Sequence, residues 1–357
     1  MPVREPAWWY AARDSLPARL LRPASRLWAA AAARRLERTV PFRSSLAVIC
    51  VGNFTAGGTG KTPLAMHLAG LLASRGERPA FLSRGYGGRL AGPHRVNPAL
   101  DLASDVGDEP LLLARHAPVY IARDRAQGAA AIERLSGIGP PTAIVMDDGL
   151  QNPGLAKDLV IAVVDGRRGV GNGLVMPAGP LRAPLALQLG MTDAIVINQP
   201  RGVPREALQA AAMLREGFDG PVLEAGVEPA EGAAALVGQR VLAVSGIANP
   251  ARFTTLLAEI GADVAGTVAF PDHHAFTEAD ARRVLNEATR LDARIVTTEK
   301  DFVRLIGLSG ARGAMRDQAE VLAVRIEFNE RDALRLEALL DAMLARRRDA
   351  AVRRVVD

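Results

Sequence analysis

Short apolar runs alternate with amphipathic segments along most of this chain, a pattern typical of an α/β protein. Residues 64–72 and 124–135 are predicted helices. Apolar runs around them are predicted strands, at residues 46–49, 78–82, 119–122, 143–146, 159–165 and 194–198. The alternation with short connections predicts a doubly wound, mostly parallel sheet.

A second, smaller α/β pattern follows residues 199–238, which are polar, alanine-rich and interrupted by prolines. Its strands are predicted at 240–245, 264–269, 294–298 and 321–326, and its helices at 250–260, 277–290 and from about 330. At ~150 residues per domain, 357 residues are enough for two domains. We therefore predict an N-terminal amphipathic helix within residues 1–38, a sheet domain at 39–215 and a smaller α/β domain at 216–357.

The N-terminal region has an apolar face opposite a basic one. On a helical wheel the apolar face holds Leu20, Leu21, Ala24, Leu27, Trp28 and Ala31, and the basic face holds Arg19, Arg22 and Arg26. Trp8, Trp9 and Tyr10 precede them. These features are typical of a helix lying in a membrane surface, but a helix packed on its own domain has the same wheel. Pro17 and Pro23 limit its regularity.

The stretch CVGNFTAGGTGKTP at residues 50–63 joins the first predicted strand to a helix, as a phosphate-binding loop does. Its glycines let several backbone N–H groups face one anion, and the start of the helix adds partial positive charge. Lys61 would reach the β- and γ-phosphates. The strict pattern has glycine where this chain has Thr55. A glycine-rich turn without a ligand is the alternative, but it does not explain why Gly-Lys-Thr opens a helix.

Oxygen ligands for Mg²⁺ are also present. The Thr62 hydroxyl would face the metal. Asp147 and Asp148 end the strand at 143–146 and would lie at the carboxyl edge of the same sheet, where α/β proteins bind ligands. A carboxylate there could hold Mg²⁺ directly or through water. An Asp-Asp pair at a turn is also a common solvated feature, and the pattern does not distinguish which aspartate would touch the metal.

Three further groups of polar residues follow strands or open helices. Asp108 and Glu109 open a helix, where acidic residues are favoured by the helix dipole. His273 and His274 end a strand; a catalytic histidine is favoured over zinc, because adjacent side chains point apart and no cysteine is nearby, and a surface pair is the structural alternative. Residues 297–301 follow another strand and include a lysine, with a simple helix cap as the structural alternative.

Composition excludes some classes of protein. The net charge of +5 comes almost wholly from arginine, since Lys61, Lys157 and Lys300 are the only lysines, and we expect no nucleic-acid partner. Cys50 is the only cysteine, so an intramolecular disulfide is excluded and a reducing compartment is expected. The sequence has no stretch of ~18 uninterrupted apolar residues, the length that a membrane span needs.

A series of short motifs runs through the chain in order. They are VGN with GGTGKTP at 51–63, SRGYG at 83–87, GDEP at 107–110, DDGLQ at 147–151, GNG at 171–173, PAGPLR at 177–182, FPDHH at 270–274 and TTEKD at 297–301. Together they resemble the tetraacyldisaccharide 4′-kinases, also called lipid A 4′-kinases. Each motif is moderately specific alone, and the ordered set, spread from about residue 10 to 330, is highly specific.

The resemblance implies a P-loop NTPase-like fold and a reaction with ATP and Mg²⁺. The γ-phosphoryl group would pass to the 4′-hydroxyl of an acylated glucosamine disaccharide 1-phosphate, which gives lipid IVA in lipid A biosynthesis. Such enzymes are peripheral on the cytoplasmic face of the Gram-negative inner membrane, which favours the membrane interpretation of the N-terminal helix. No obligate protein partner is evident.

The resemblance also implies roles for individual residues. Nucleotide contacts fall to Thr55, Ala56, Gly57, Gly58, Thr59, Gly60, Lys61 and Thr62, with Lys61 also catalytic. Asp108 matches the proposed catalytic carboxylate and would accept the hydroxyl proton, while His273, from the other domain, would orient or tune it. A pair shared in this way would couple catalysis to domain closure.

Candidates for contacts to substrate or phosphate are Tyr86, Arg123, Arg125 and Arg182. In one respect the chain departs from the family pattern, because Ala183 stands where an acidic residue is expected after the PAGPLR motif. The role of an acid there must be absent or supplied elsewhere.

Two other functions fit parts of the sequence. A membrane-positioning P-loop ATPase would combine a similar loop with a membrane helix, but its loop carries a lysine where this chain has Ala56, and it lacks a second α/β domain. A P-loop kinase or ligase acting on a soluble metabolite would use the N-terminal helix only for packing.

Overall fold

The computed structural model describes residues 5–136, 139–199, 214 and 216–356. Its described helices are Leu16–Arg38 (α1), Lys61–Ser74 (α2), Ala103–Val106 (α3), Asp108–Leu113 (α4), Arg125–Glu133 (α5), Leu185–Leu189 (α6), Pro250–Ile260 (α7), Glu278–Leu291 (α8), Glu299–Val303 (α9), Gly310–Gln318 (α10) and Glu330–Val356 (α11).

The described strands are Ala47–Gly52 (β1), Pro79–Ser83 (β2), His94–Arg95 (β3), Val119–Ile121 (β4), Ala143–Asp147 (β5), Leu159–Asp165 (β6), Ala194–Gln199 (β7), Val222–Pro229 (β8), Arg240–Ser245 (β9), Asp263–Ala269 (β10), Arg294–Thr298 (β11), Ala319–Leu322 (β12) and Val324–Phe328 (β13). The predicted α/β class and its parallel pairing are confirmed.

The chain forms two compact units, each built from separate stretches. The larger unit comprises Glu5–Arg84, Ala122–Val227 and the chain from Ile326 onward, and the smaller comprises Gly85–Ile121 and Glu228–Arg325. This division differs from the predicted domains, which placed residues 85–121 with the phosphate-loop stretch and the C-terminal helix with the smaller domain. The predicted boundary at residue 215 lies outside the described residues.

In the larger unit the strands follow the order β13-β8-β7-β6-β1-β5-β2. All six residues of β1 and all five of β5 are buried, as continuous apolar runs predict for strands covered on both faces. The register pairs Val51 with Asp147. The phosphate-loop stretch therefore leaves β1 beside the carboxyl end of β5.

The smaller unit has a parallel four-stranded sheet in the order β10-β9-β11-β12. Leu242, Val244 and Ile295 of this sheet pack against Val284 of α8. The prediction of one strand at 321–326 is wrong, because the chain changes sheet at Ala323. β12 ends there and stays with β11, whereas β13 pairs at the edge of the larger sheet.

Helix α1 is continuous through Pro23. Ser25 on its inner side is buried and its hydroxyl donates to the Val175 carbonyl at 2.6 Å. Part of the predicted apolar face is uncovered: Leu20, Leu27 and Trp28 are 72%, 76% and 52% exposed, although the Trp28 indole N–H donates to the Arg182 carbonyl at 3.3 Å. No described helix is long and apolar enough to cross a membrane.

The three aromatic residues before α1 do not act as one interfacial group. Trp9 is buried and its indole N–H donates to the Pro177 carbonyl at 3.0 Å. The Tyr10 hydroxyl donates to the Glu5 carboxylate at 2.8 Å. The short 3-10 turn Ala7–Tyr10 therefore anchors the N-terminus to the larger unit.

Candidate active site

The phosphate loop is a backbone cradle between β1 and α2. Gly57 and Gly60 have φ values of 104° and 97°, in the left-handed region that favours glycine. A Cβ at Gly60 would lie 2.6 Å from the amide nitrogen of Asn198, which donates to the Thr59 carbonyl at 2.8 Å. The amide of Asn53 donates to the Gly57 carbonyl at 3.0 Å. These contacts hold the loop curled ahead of the helix N-terminus.

Thr55 occupies the irregular position of the loop without a backbone conflict. Its backbone is not among the described residues with positive φ, and it forms an antiparallel bridge with Leu181. Arg182 Nε donates to the Thr55 carbonyl at 3.0 Å. A residue other than glycine fits here because the PAGPLR segment runs alongside the loop.

The two aspartates after β5 have different surroundings. Asp147 is 1% exposed. Asp148 is partly exposed and adopts φ 51°, and its carboxylate lies 2.8 Å from Arg182 Nη1 and 3.7 Å from Lys61 Nζ. Burial alone would raise the pKa of Asp148, but Lys61 and Arg182 outweigh it and hold this pKa well below its usual range. Asp148 is therefore an anion within reach of the loop lysine.

The arginine candidates separate into three environments. Arg182 is already engaged with Asp148, and Arg123 is exposed. Arg125 is only 3% exposed and donates to the Ala122 carbonyl. Burial lowers the pKa of Arg125 to about 10, against the opposing charge of Asp148. The structure thus brings Arg182 and Arg125 to the aspartates but leaves Arg123 at the surface.

The donors near the loop fit Mg²⁺. The Thr62 hydroxyl and the carboxylates of Asp147 and Asp148 are hard oxygen ligands at one edge of the sheet. Within the described ranges no group of three or more His, Cys, Asp or Glu side chains could hold a metal ion. A Mg²⁺ site of the phosphate-loop type uses one or two protein oxygens together with nucleotide phosphates.

A second group of candidate residues lies within the smaller unit, around Asp108. Asp108 opens α4, is 4% exposed, and its Oδ1 accepts from the Glu109 backbone N–H at 2.9 Å. Its Oδ2 accepts from His273 Nδ1 at 2.9 Å and from Arg304 Nε at 2.9 Å, with a further contact to Arg304 Nη2. Both carboxylate oxygens are therefore occupied. Asp108 and His273 belong to one unit and are not shared between two, in contrast to the sequence expectation.

The hydrogen bond between Asp108 and His273 sets the charge of both groups. Burial alone would raise the pKa of Asp108, but His273, Lys300 and Arg304 hold this pKa well below its usual range. The same hydrogen bond raises the pKa of His273 above the usual 6.5 of histidine, although burial opposes the rise. Because Nδ1 faces Asp108, Nε2 is the ring nitrogen left on the other side of the imidazole.

Two more residues complete this group. The side chain of Tyr86 is 64% exposed, and its ring lies edge-on to His273 with ring centroids 5.7 Å apart. Lys300 Nζ pairs with Glu109 at 2.5 Å, so the TTEKD and GDEP motifs meet in space. Arg304 also belongs to this group, but the sequence motifs do not include it. Its only sequence signal is its position three residues after Asp301.

Several candidate residues have structural roles. His274 stacks on Phe270 and its Nε2 lies 2.9 Å from the Asp280 carboxylate. Thr298 caps α9, since its hydroxyl accepts from the Asp301 N–H at 3.2 Å. Ala183 is fully buried, so no carboxylate enters the site from that position. The Glu5 carboxylate lies where a Cβ on Gly57 would be, and Arg168 pairs with it.

Comparisons with known proteins agree with the motifs. A family model described as tetraacyldisaccharide-1-P 4′-kinase matches residues 17–345. A tetraacyldisaccharide 4′-kinase from Methylobacterium nodulans is 50% identical over 96% of both chains. A relative of the same name from Nitrobacter winogradskyi is 47% identical over 97% of this chain and 99% of its own. The crystal structure of LpxK from Aquifex aeolicus in complex with ATP has 25% identity and a TM-score of 0.68, covering 91% of this chain and 99% of that one.

Proposed function

Because the chain belongs to the tetraacyldisaccharide-1-phosphate 4′-kinase family, it transfers a phosphoryl group from ATP to the 4′-hydroxyl of a tetraacyldisaccharide 1-phosphate, and we propose that two groups of its residues perform this reaction. The nucleotide group is the loop at residues 55–62 with Asp147, Asp148 and Arg182. The acceptor group is Asp108, His273 and Tyr86. The first lies in the larger unit and the second in the smaller.

The nucleotide group binds and polarises the phosphates. Backbone N–H groups of the loop and the start of α2 face the β- and γ-phosphates, and Lys61 neutralises charge on them. Thr62 with Asp147 or Asp148 would hold Mg²⁺, which supplies positive charge to the phosphate oxygens. Arg182, fixed by Asp148 and the Thr55 carbonyl, adds a guanidinium beside the transferred group.

The acceptor group takes the proton of the sugar hydroxyl. The observation that supports this role is the 2.9 Å contact between His273 Nδ1 and a buried Asp108 whose oxygens are all occupied. A carboxylate of such low pKa is a weak base, whereas the imidazole that it orients is a suitable one at neutral pH. We therefore assign the proton to His273 Nε2 and the orienting role to Asp108, the reverse of the sequence expectation.

The phosphoryl transfer is a single displacement at the γ-phosphorus, with ADP as the leaving group. The 4′-oxygen forms a bond to the γ-phosphorus as the bond from that phosphorus to the β,γ-bridging oxygen breaks, and ADP leaves. The hydroxyl proton moves to His273 Nε2, and Asp108 stabilises the resulting imidazolium. Tyr86 beside His273, with exposed Arg123, would contact the substrate.

We further propose that the protein works at a membrane surface, on the cytoplasmic face of the inner membrane. The substrate of this family is acylated, and its chains are most stable in a bilayer. Helix α1 leaves Leu20, Leu27 and Trp28 uncovered, which supports insertion of this face among lipids. A helix that only packs on its own unit would cover them.

The proposal is tested by transfer of label from γ-labelled ATP to the acylated disaccharide 1-phosphate, beside a reaction without acceptor. Lys61→Ala should abolish transfer while the protein stays folded, and Asp108→Ala should lower kcat by no more than the loss of His273 does. His273→Gln should lower kcat by about 10²–10⁴-fold, the scale for a general base, and remove the acidic limb of the pH profile. That limb arises because the base is protonated below the pKa of His273. Transfer by Lys61→Ala or Asp108→Ala at the wild-type rate would contradict the assignment.

A further inference from the structure

All three guanidinium nitrogens of the buried Arg304 side chain have hydrogen-bond partners. Arg304 follows α9, and its side chain is 5% exposed. Nε and Nη2 both face Oδ2 of Asp108, while Nη1 donates to the Gly246 carbonyl at 2.9 Å and to Asp301 at 2.7 Å. The guanidinium is thus a fork that can adopt one orientation.

The partners of Arg304 are themselves fixed. Asp301 is fully buried, and it accepts from the Gly246 backbone N–H at 3.0 Å. A Cβ at Gly246 would lie 2.9 Å from the Asp301 carboxylate and 3.2 Å from Arg304 Nη1, so the absence of a side chain lets these groups meet. Asp301, Arg304, Asp108 and His273 form a continuous chain of charged contacts, which we call the clamp.

We propose that Arg304 is a positioning residue of the phosphoryl transfer, since its guanidinium holds Asp108 in the orientation that accepts from His273 Nδ1. Nε2, 3.9 Å from the Asp272 carboxylate, is then the nitrogen that takes the proton of the acceptor hydroxyl. This inference rests on the proposed role of His273. Without Arg304, the Asp108 carboxylate would keep only the hydrogen bonds from the Glu109 backbone N–H and from His273 itself, and the tautomer of His273 would be less firmly fixed.

The charge of Arg304 matters as well as its shape. Asp108 and Asp272 face the imidazole and favour its protonated form, and Lys300 opposes them. The Tyr86 ring also lies against the imidazole. Without Arg304 the buried Asp108 carboxylate would lose a cation and would stabilise the imidazolium more strongly. A histidine that stays protonated cannot accept the hydroxyl proton.

The test compares Arg304→Gln, which removes the charge, with Arg304→Lys, which keeps the charge but loses the fork. Arg312→Gln is the matched control, because Arg312 is paired with Glu278 at 2.8 Å in the same unit and lies outside the clamp. Folding of each variant is checked by thermal unfolding. The readouts are the pH profile of kcat and the ¹⁵N shifts of His273, which is one of five histidines in the chain.

In Arg304→Gln the acidic limb should move up by about one pH unit or more, the scale of a lost neighbouring charge, and raising the pH should restore part of the activity. In Arg304→Lys the limb should stay near its wild-type position while kcat falls by about 10²-fold, the scale of a misplaced catalytic group. The ¹⁵N shifts should report loss of the single tautomer in both variants. Arg312→Gln should change none of these readouts.

A folded Arg304→Lys protein with wild-type kcat and an unchanged His273 tautomer would overturn the proposal. If Arg304→Gln does not fold, Arg304→Lys alone decides. Failure of the proposed function gives a different result: His273→Gln would then transfer phosphate at the wild-type rate, whereas the ¹⁵N shifts in the Arg304 variants would still report on the clamp.

Discussion

Asp148 and His273 share a backbone conformation that few residues with side chains adopt. Their φ values are 51° and 56°, and among the described non-glycine residues only Asp292 is also in this region. Such a conformation costs on the order of 1–3 kcal/mol and persists where surrounding contacts impose it. Asp148 follows β5 and His273 follows β10. In this conformation the Asp148 side chain faces Lys61, and the His273 side chain faces Asp108.

The Asp148→Asn substitution separates the effect of the carboxylate charge from the effect of the backbone conformation. Asparagine tolerates the left-handed region about as well as aspartate, so Asp148→Asn should fold normally. It loses the ionic contacts to Lys61 and Arg182, and kcat should fall by about 10²–10³-fold, the scale for one electrostatic group in an active site.

ADP release and thermal unfolding measure the two effects of this substitution. Asp292→Asn is the matched control, because Asp292 has the same backbone conformation at the end of α8, outside the site. A drop in kcat of similar size in both variants would assign the effect to the backbone and not to the charge.

The residues of the site differ in how far local sequence predicts them. The phosphate loop and Asp147–Asp148 were predicted because each follows an apolar strand with a distinctive spacing. The pairing of Asp108 with His273 came from family resemblance, since 165 residues separate them. Arg304, 196 residues from Asp108, was missed because a single arginine just after a short helix has no local signal.

Among the elements, α1 is the one whose sequence pattern left its role open. The helical wheel was compatible with a helix packed on its own domain or with one lying in a membrane surface. The exposed side chains on its apolar face support the membrane interpretation. The expected interfacial role of Trp9 does not hold, because its indole N–H is used by the Pro177 carbonyl. Periodicity predicts which side chains share a face, but it does not predict which neighbouring loop will cover a given residue.

Replacing Leu20, Leu27 and Trp28 together by Ser should lower binding to anionic phospholipid vesicles by at least about tenfold, since each buried apolar side chain contributes roughly 1.5–3 kcal/mol. ATP binding should be unchanged. Leu334→Ser is the matched control, because Leu334 is 63% exposed on α11. Vesicle sedimentation measures the effect, and equal binding by the triple variant and wild type would remove the membrane assignment of α1.

For the whole molecule, the structure differs from the prediction mainly in which segments of the chain belong to each unit. The α/β class, the parallel sheets and most element bounds follow from apolar periodicity. Periodicity does not predict that residues 85–121 belong to the smaller unit and α11 to the larger one, because this assignment depends on contacts between segments far apart in sequence. In α11, Leu336, Leu340 and Met343 are fully buried.

Helix α11 is therefore expected to be essential for the larger unit. Its Asp341 pairs with Arg75 at 2.6 Å, and Arg347 donates to the Leu46 carbonyl, just before β1, at 2.8 Å. A chain ending at residue 325 should bind no ATP and be cleaved rapidly by protease, while a chain ending at Arg348 should behave as wild type. ATP binding by the shorter chain, measured by calorimetry, would contradict this expectation.

The interleaved units also have a consequence for synthesis on the ribosome. Asp108 emerges 196 residues before Arg304, which at about 5–20 residues per second is a delay of roughly 10–40 s. Throughout that interval its carboxylate lacks the guanidinium, and the apolar strands β1, β5 and β6 wait for α11. Neither unit can be completed until almost all of the chain has been translated, so the nascent protein should depend on chaperones that shield these strands.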